Sequence, residues 1–174
     1  LYNEGVTAEV IDRAARNFGM PMGPIELADS VGLDIGLHVA EGLAAITGRE
    51  VPEALRIMVA NKQLGRKTGQ GFYRYEDGKT QRQPLPSAAI DPDVETRLVY
   101  ALLNESANCL SEGVVSTADE VDAGVIFGTG FAPFRGGPLT YAKKLGVNHV
   151  SAELERLSGT YGDRFEASAG WSLL

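Results

Sequence analysis

The hydrophobic residues of the chain recur at helical spacing along most of its length. The first helix carries its apolar positions three or four residues apart, at Ile11, Ala14, Ala15 and Phe18. Thr7 suits the residue before this helix, and Gly19 ends the pattern. Pro24 then opens a short helix that stops at Gly32. We therefore predict a mainly α-helical protein.

Further helix starts are marked by capping or first-turn residues: Asp34, Pro52, Asp91-Pro92, Thr117, Pro138 and Asn148. Thr117 and Glu120 have the spacing of a capping box. The longest helix begins at Asp91-Pro92. The pattern predicts that its buried face consists of Val94, Leu98, Ala101, Leu102, Cys109 and Leu110.

A glycine-rich segment interrupts the helices after Leu64. The aromatic residues of 72–75 and the following Asp77-Gly78 predict a short strand or hairpin near 72–80. Residues 79–92 contain three prolines and are predicted to be a linker. We place the boundary between two units here, with residues 1–83 in the first and 84–174 in the second.

The two halves follow the same order of features. Glu4-Gly5-Val6 corresponds to Glu112-Gly113-Val114, and Asp12 corresponds to Asp122. Residues 24–32 then match residues 138–146 without a gap, with proline, alanine and glycine in common. Chance similarity of two amphipathic helices is the alternative. We favour a duplication, which predicts two similar helical units packed together.

Composition and charge limit the classes of function. The 174 residues carry a net charge of −7, which argues against nucleic-acid binding. No apolar run reaches the roughly 18 residues that span a bilayer. A single cysteine, Cys109, cannot form an internal disulfide and favours a reducing compartment, so we expect a cytoplasmic protein. The chain begins at Leu1 rather than Met, and we expect it to be part of a longer protein.

Familiar catalytic and cofactor motifs are missing from the sequence. His38 and His149 have no cysteine or second histidine at ligand spacing, so we expect no metal site. Gly128-Thr129-Gly130 follows a predicted helix and has Pro133 where a dinucleotide motif has its third glycine. We therefore expect no cofactor site on this chain.

A basic stretch between Arg49 and Arg82 has eight cationic residues against four carboxylates. It could attract the phosphates of a coenzyme A ester or an acidic neighbouring domain. The alternative is a solvated charged surface.

Two loops combine glycine and proline with large apolar side chains, at Met20, Met22, Phe131 and Phe134. Exposed side chains of this kind would suit a flexible acyl chain. The alternative, that they hold neighbouring helices together, stays open.

Two motifs resemble a known family. Residues 19–29 (GMPMGPIELAD) and 65–73 (GRKTGQGFY) resemble the C-terminal helical domain of L-3-hydroxyacyl-CoA dehydrogenases. The second half, with residues 130–138 (GFAPFRGGP), looks like a second copy. Tandem copies are characteristic of the multifunctional fatty-acid oxidation enzymes. The resemblance implies a mainly α fold of two 6-phosphogluconate-dehydrogenase-C-terminal-like repeats, the first of them truncated at its N-terminus.

The resemblance also implies an activity, the NAD-dependent oxidation of L-3-hydroxyacyl-CoA to 3-ketoacyl-CoA in fatty-acid β-oxidation. In that family the catalytic His–Glu pair and NAD lie on an upstream Rossmann domain. We therefore expect no catalytic residue in this chain, and no activity from the chain alone. The implied partners are an acyl-CoA, the Rossmann domain, and a second copy or a thiolase subunit. The alternative is a non-catalytic helical module for dimerisation or scaffolding.

This chain departs from the family's pattern at two substrate-contacting positions. A substrate-contacting Asn falls before residue 1 in the first copy and on Thr96 in the second, so it is absent from both. A tyrosine of the second copy is replaced by Phe127. The resemblance thus implies an apolar substrate contact at Phe127, with core packing as the alternative.

Overall fold

The computed structural model describes residues 1–48, 50–84 and 91–174, without the side chain of Thr47. Its regular elements are α1 (Ala8–Phe18), α2 (Pro24–Val31), α3 (Leu33–Thr47), α4 (Glu53–Ala60), β1 (Arg74–Glu76), β2 (Lys79–Gln81), α5 (Pro92–Ser111), α6 (Ala118–Thr129), α7 (Pro138–Leu145) and α8 (Val147–Tyr161). Short 3-10 helices lie at Tyr2–Glu4, Arg66–Thr68, Pro133–Arg135, Asp163–Phe165 and Ala169–Leu173. The prediction of a mainly helical chain with one short hairpin is confirmed.

The chain divides into two compact units. The first unit consists of residues 1–16 and 22–90, and the second of residues 17–21 and 91–174. The predicted boundary between residues 83 and 84 adjoins residues 85–90, which lie outside the described part of the chain, and it stays a prediction. Within the described part, no helix is both long enough and apolar enough to cross a membrane.

The hairpin of the first unit pairs β1 with β2 in antiparallel register, with Tyr75 opposite Thr80. Its two-residue loop, Asp77-Gly78, has positive φ at both positions, 49° and 72°. This conformation matches the twist of two paired strands, and Asp-Gly favours it. The linker predicted at residues 79–92 is therefore wrong for residues 79–81, which form β2.

The third helix begins differently from the prediction. Asp34 is not its cap, because α3 already starts at Leu33 after Gly32, whose φ is 109°. The Asp34 carboxylate instead accepts a hydrogen bond from Lys67 Nζ at 2.5 Å. This bond lowers the pKa of Asp34. The predicted caps of α5 and α6 are confirmed, since Asp91 accepts from Asp93 N and Thr117 forms a capping box with Glu120.

The buried face of α5 differs from the predicted one. Its buried residues are Val94, Arg97, Val99, Tyr100, Leu103, Ser106 and Ala107, whereas Ala101 is exposed. The prediction from apolar periodicity was wrong because the buried face includes two polar residues, which make contacts inside the unit. The Arg97 guanidinium lies 3.9 Å from the centroid of the Tyr161 ring, and Ser106 Oγ donates to the Leu102 carbonyl at 2.8 Å.

The C-terminal segment packs against α5 through Asn104. Its Oδ1 accepts from Ser168 N and from Trp171 Nε1, each at 2.9 Å, and its Nδ2 donates to the Glu166 carbonyl at 2.8 Å. Close contact is possible because residue 170 is glycine, where a Cβ would overlap the Ala107 carbonyl. The chain end thus completes the core of the second unit.

An ion pair connects helices α5 and α8 of the second unit. Arg156 of α8 binds Asp93 of α5 with both ends of its guanidinium, at 2.7 and 3.1 Å, and the Tyr161 hydroxyl donates to the same carboxylate at 2.9 Å. The hydrogen bond from Arg156 is the main reason that the pKa of Asp93 lies below its usual value. Asp93 therefore favours folding while it is ionised.

We predict that Asp93→Asn destabilises the second unit at pH 7 and that the difference from wild type shrinks in acid. A lowered folded-state pKa contributes stability above the unfolded value of 3.8, and this contribution is lost as the pH falls through the folded value. Urea unfolding at pH 7 and at a pH below 3.8 measures the difference in the free energy of unfolding between this variant and the wild type. Glu155→Gln, an exposed change on α8, is the control. A difference independent of pH would contradict the assignment.

Candidate functional site

In the second unit, a buried aspartate fixes the loop that leads into α7. Asp122 of α6 accepts hydrogen bonds from Leu139 N at 2.7 Å and from Thr140 N at 3.0 Å. These amides belong to the first turn of α7, where the helix itself offers no acceptor. The residue before the helix is Gly137, which has no side chain to cap it. Asp122 therefore caps α7 from a different helix.

The first unit uses the same arrangement. Asp12 of α1 accepts from Ile25 N at 2.8 Å and from Glu26 N at 3.0 Å, in the first turn of α2. It also accepts from the Tyr73 hydroxyl at 2.8 Å. Burial raises the pKa of Asp12, and these donors act against that rise. The correspondence with Asp122 supports the predicted duplication, which stays a proposal.

A second buried aspartate connects the two motifs of the first unit. Asp29, at the end of α2, accepts from Phe72 N and Tyr73 N at 2.9 Å and from the Tyr75 hydroxyl at 3.0 Å. Burial is the largest cause that raises the pKa values of Tyr73 and Tyr75, so both phenols stay protonated as donors. A Cβ at Gly71 would overlap the Asp29 carboxylate. The two sequence motifs, residues 19–29 and 65–73, are therefore in direct contact in the first unit.

Phe127 lies in the last turns of α6, and its side chain is 90% exposed. Core packing, the alternative raised by the sequence, is therefore wrong for this residue. The ring offers apolar surface at the start of the glycine and proline loop that Asp122 fixes. The substrate contact at Phe127 stays a prediction.

The other apolar loop residues have different environments. Phe131 is fully buried and packs edge-on against Phe18, with ring centroids 5.4 Å apart. Met20 packs against the same core. For these two residues the alternative raised by the sequence holds, since they pack in the core of the second unit. Phe134 and Met22 are exposed, as the acyl-contact hypothesis requires.

The family model described as 3-hydroxyacyl-CoA dehydrogenase, C-terminal domain, matches residues 1–75. This part of the chain belongs to that family. The match contains Asp12, Asp29 and Tyr73, so the buried aspartate network lies within a 3-hydroxyacyl-CoA dehydrogenase C-terminal domain.

Curated relatives extend the similarity over both units. The fatty acid oxidation complex subunit alpha of Shewanella sp. strain MR-4 is 37% identical over 185 aligned residues, which cover 95% of this chain and 26% of the relative. The subunit of the same name from Vibrio vulnificus is 35% identical and covers 98% of this chain. The chain thus spans about a quarter of the length of these relatives.

Solved structures show the same fold. The 3-hydroxybutyryl-CoA dehydrogenase of Escherichia coli K12 aligns with 99% of this chain and 55% of its own, with a TM-score of 0.76 and 20% identity. The dehydrogenase part of multifunctional enzyme 1 from C. elegans aligns with 97% of this chain and 42% of its own, with a TM-score of 0.70 and 25% identity. The fold is that of dehydrogenase C-terminal domains.

The basic stretch between Arg49 and Arg82 forms several ion pairs within the first unit. Arg56 pairs with Glu41 at 2.5 Å, and Arg82 pairs with Glu26 at 2.7 Å. Lys67 forms the bond to Asp34 described above. Arg49 lies outside the described residues. These pairs favour a structural role for part of the stretch over recognition of phosphate.

The described residues do not fit a bound dinucleotide. Gly128 and Thr129 are the last residues of α6, and Gly130 follows that helix rather than a strand. The strands found in residues 1–48, 50–84 and 91–174 are those of the antiparallel hairpin, whereas a dinucleotide site of the Rossmann type needs a parallel βα unit. Within the same residues, no three His, Cys, Asp or Glu side chains are grouped as metal ligands.

We predict that Gly23→Ala lowers the free energy of unfolding by about 2 kcal/mol, as overpacking of a tight contact does. The reason is steric, because φ at Gly23 is an ordinary −77° and the new Cβ would overlap the Asp12 carboxyl group. Gly42→Ala on α3 is the matched control, since nothing lies within 4 Å of its Cβ. The control should gain about 0.5 to 1 kcal/mol from helix propensity.

Urea unfolding of both variants measures these changes. Equal stability of Gly23→Ala and the wild type would contradict the close approach of Asp12 to the start of α2.

Proposed function

We propose that this chain is the substrate-side C-terminal region of an NAD-dependent 3-hydroxyacyl-CoA dehydrogenase that oxidises L-3-hydroxyacyl-CoA to 3-ketoacyl-CoA in fatty-acid β-oxidation. The observation that supports this most is the alignment of 95% of the chain, at 37% identity, with a fatty acid oxidation complex alpha subunit. The dehydrogenase fold of the solved relatives agrees with it.

The proposal divides the enzyme between this chain and a region outside it. The family resemblance implies that NAD and the catalytic His–Glu pair belong to an upstream Rossmann domain, and we adopt that assignment here. The chain itself would close the acyl-CoA side of a cleft between domains, where enzyme sites commonly lie. The aspartate caps at α2 and α7 would hold the loops of that side in fixed positions.

Phe127 is the residue that we propose to contact the acyl-CoA. Its ring is almost completely exposed, and burial of such a ring against a ligand is favourable by about 1.5 to 3 kcal/mol. It has no hydroxyl group, so the contact would be apolar. Phe134 and Met22 are further exposed apolar side chains on the glycine and proline loops.

A second candidate function is a helical dimerisation or scaffold module. The observation that favours it is an exposed apolar stripe on α3, formed by Ile35, Val39, Leu43 and Ile46. Such a stripe suits a protein partner. We propose that this partner is a second copy of the chain or a thiolase subunit. We also propose that the protein is cytoplasmic. The relatives are named as subunits of a complex, which supports an assembly.

We predict that the isolated 174-residue chain does not catalyse NADH oxidation with acetoacetyl-CoA, whereas the natural protein that contains it does. The reason is that the proposed base and the cofactor site lie outside the chain. A spectrophotometric assay at 340 nm, the usual NADH wavelength, measures both at about equal molar concentration. Comparable turnover by the isolated chain would overturn the division, and an inactive natural protein would favour the scaffold.

We further predict that Phe127→Ala in the natural protein raises KM for acyl-CoA about fivefold to tenfold, equivalent to about 1 to 1.4 kcal/mol of lost binding, with kcat changed less than about twofold. Steady-state kinetics measure the split. Val114→Ala, an exposed change on the α5–α6 loop, is the control and should leave both constants unchanged.

Phe127→Tyr introduces the phenol that the family resemblance implies for this position and should keep KM low. Wild-type kinetics for Phe127→Ala would remove Phe127 from the substrate site.

A further inference from the structure

The segment between Asp122 and Glu153 carries positive charge within an acidic chain. It contains no aspartate or glutamate, although the chain has 23 of them and a net charge of −7. Asp122 itself is buried, and its carboxylate accepts from the amides of α7. The same segment contains three cations, Arg135, Lys143 and Lys144. A positive segment of this kind attracts anionic ligands.

The side chain of Arg135 is held in one orientation within the second unit. Its Nε donates to the Phe18 carbonyl at 2.8 Å, and its guanidinium lies 4.1 Å from the centroid of the Phe18 ring. The rings of Tyr141 and Phe134 lie 4.9 and 5.2 Å from the same group. Contacts of a guanidinium with aromatic rings are favourable. The group is therefore oriented before a ligand arrives, which lowers the entropic cost of binding.

The Nη edge of this guanidinium is open. Among the residues that the structure describes, the Arg135 side chain makes its hydrogen bond through Nε, and neither Nη group has an acceptor or a paired carboxylate. The donors of an arginine form a planar fork that matches two oxygen atoms of a phosphate or carboxylate. The edge therefore fits a bound oxyanion.

An exposed aromatic ring lies beside the same guanidinium. The Phe134 side chain is 73% exposed. One edge of its ring is nevertheless fixed against the backbone at Gly19, where a Cβ would approach the ring Cζ to 2.6 Å. A fixed ring with open surface is a platform on which a nucleobase stacks. A bare anion uses only the guanidinium, whereas a nucleotide uses the guanidinium and the ring together.

We propose that Arg135 and Phe134 bind the phosphorylated adenosine end of the acyl-CoA. The Nη groups of Arg135 donate to a phosphate, and the adenine stacks on the Phe134 ring. Lys143 and Lys144, which are both exposed, add positive charge on α7. The proposed apolar contact of Phe127 with the same substrate is unchanged. The identity of the ligand rests on the proposed function, whereas the fit to a phosphate and a base rests on the geometry.

Kinetics with two substrates test the assignment in the natural protein that contains this chain. Acetoacetyl-CoA carries the phosphorylated adenosine, and acetoacetyl-pantetheine lacks it. We expect Arg135→Gln to raise KM for acetoacetyl-CoA about tenfold, as the loss of a charged hydrogen bond does, and to change KM for acetoacetyl-pantetheine by less than about twofold. Phe134→Ala should raise KM for acetoacetyl-CoA at least about fivefold with the same selectivity.

The matched control is Arg164→Gln, which removes an exposed arginine of the same unit and should leave both KM values unchanged. An equal rise of KM for both substrates in the Arg135 variant would mean that this residue only supports the loop, and would overturn the proposal. Unchanged KM values in both variants would also overturn it. Phe134→Ala removes an exposed ring, so it tests the contact even if Arg135→Gln does not fold.

Photolabelling tests the site without turnover, and so separates this proposal from the proposed function. The probe is an azido derivative of 3′-phospho-ADP, the nucleotide portion of CoA, and mass spectrometry of peptides locates the label. We expect label on residues 131–144 that is lost in Arg135→Gln. Unmodified 3′-phospho-ADP should displace it at a concentration at least about tenfold below that of inorganic phosphate.

Label that is absent from residues 131–144, or equal displacement by inorganic phosphate, would overturn the nucleotide site. Label on these residues in a natural protein that does not turn over acetoacetyl-CoA would support the nucleotide site and overturn only the proposed reaction.

Discussion

The structure depends on a buried carboxylate that caps a helix from outside that helix. The residue before α2 and before α7 is glycine, which has no capping side chain, and the first residue is proline, which has no N–H to satisfy. The next two amides donate to Asp12 or Asp122. Burial of an aspartate is unfavourable in itself. Here it is offset by charged hydrogen bonds and by the positive end of the helix dipole.

This arrangement explains why the glycine and proline loops are conformationally fixed. The carboxylate occupies the volume in which a side chain at position 23 or 137 would lie, so glycine is required there. In the first unit, Tyr73 bridges Asp12 to the segment that Asp29 holds. One set of buried acceptors thus connects α1, α2 and the segment before β1. A loop held in this way can carry a side chain such as Phe134 at a defined position on the surface.

Much of the fold was predictable because its signals are local. Pro24, Asp91 and Thr117 mark helix starts through backbone geometry and short-range hydrogen bonds, and Asp77-Gly78 marks the hairpin. The failures concern burial, which depends on distant residues. Arg97 and Ser106 lie on the buried face of α5, where Arg97 contacts the Tyr161 ring and Ser106 donates to the Leu102 carbonyl, and no periodicity of apolar residues reveals such contacts.

The candidate site shows the same limit. Phe131 and Phe127 lie four positions apart in the sequence, yet one is fully buried and the other is 90% exposed. Phe127 belongs to α6, whereas Phe131 follows Gly130, whose positive φ ends that helix. The sequence identified both as large apolar residues beside a loop but gave no sign of which faced the core. The sequence analysis matched Asp12 with Asp122 but did not predict that these side chains cap helices.

The two units use the same aspartate cap but differ in how far the helix after the capped one is buried. The second unit closes its core with α5 and with the chain end that Asn104 holds in place. The first unit has the same aspartate cap at the start of α2, and its next helix, α3, has the exposed Leu43, whereas Val150, Leu154 and Leu157 of α8 are fully buried. Because Asp12 and Asp122 cap α2 and α7 in the same way, the starts of these helices have the same local geometry although the helices that follow them differ in burial.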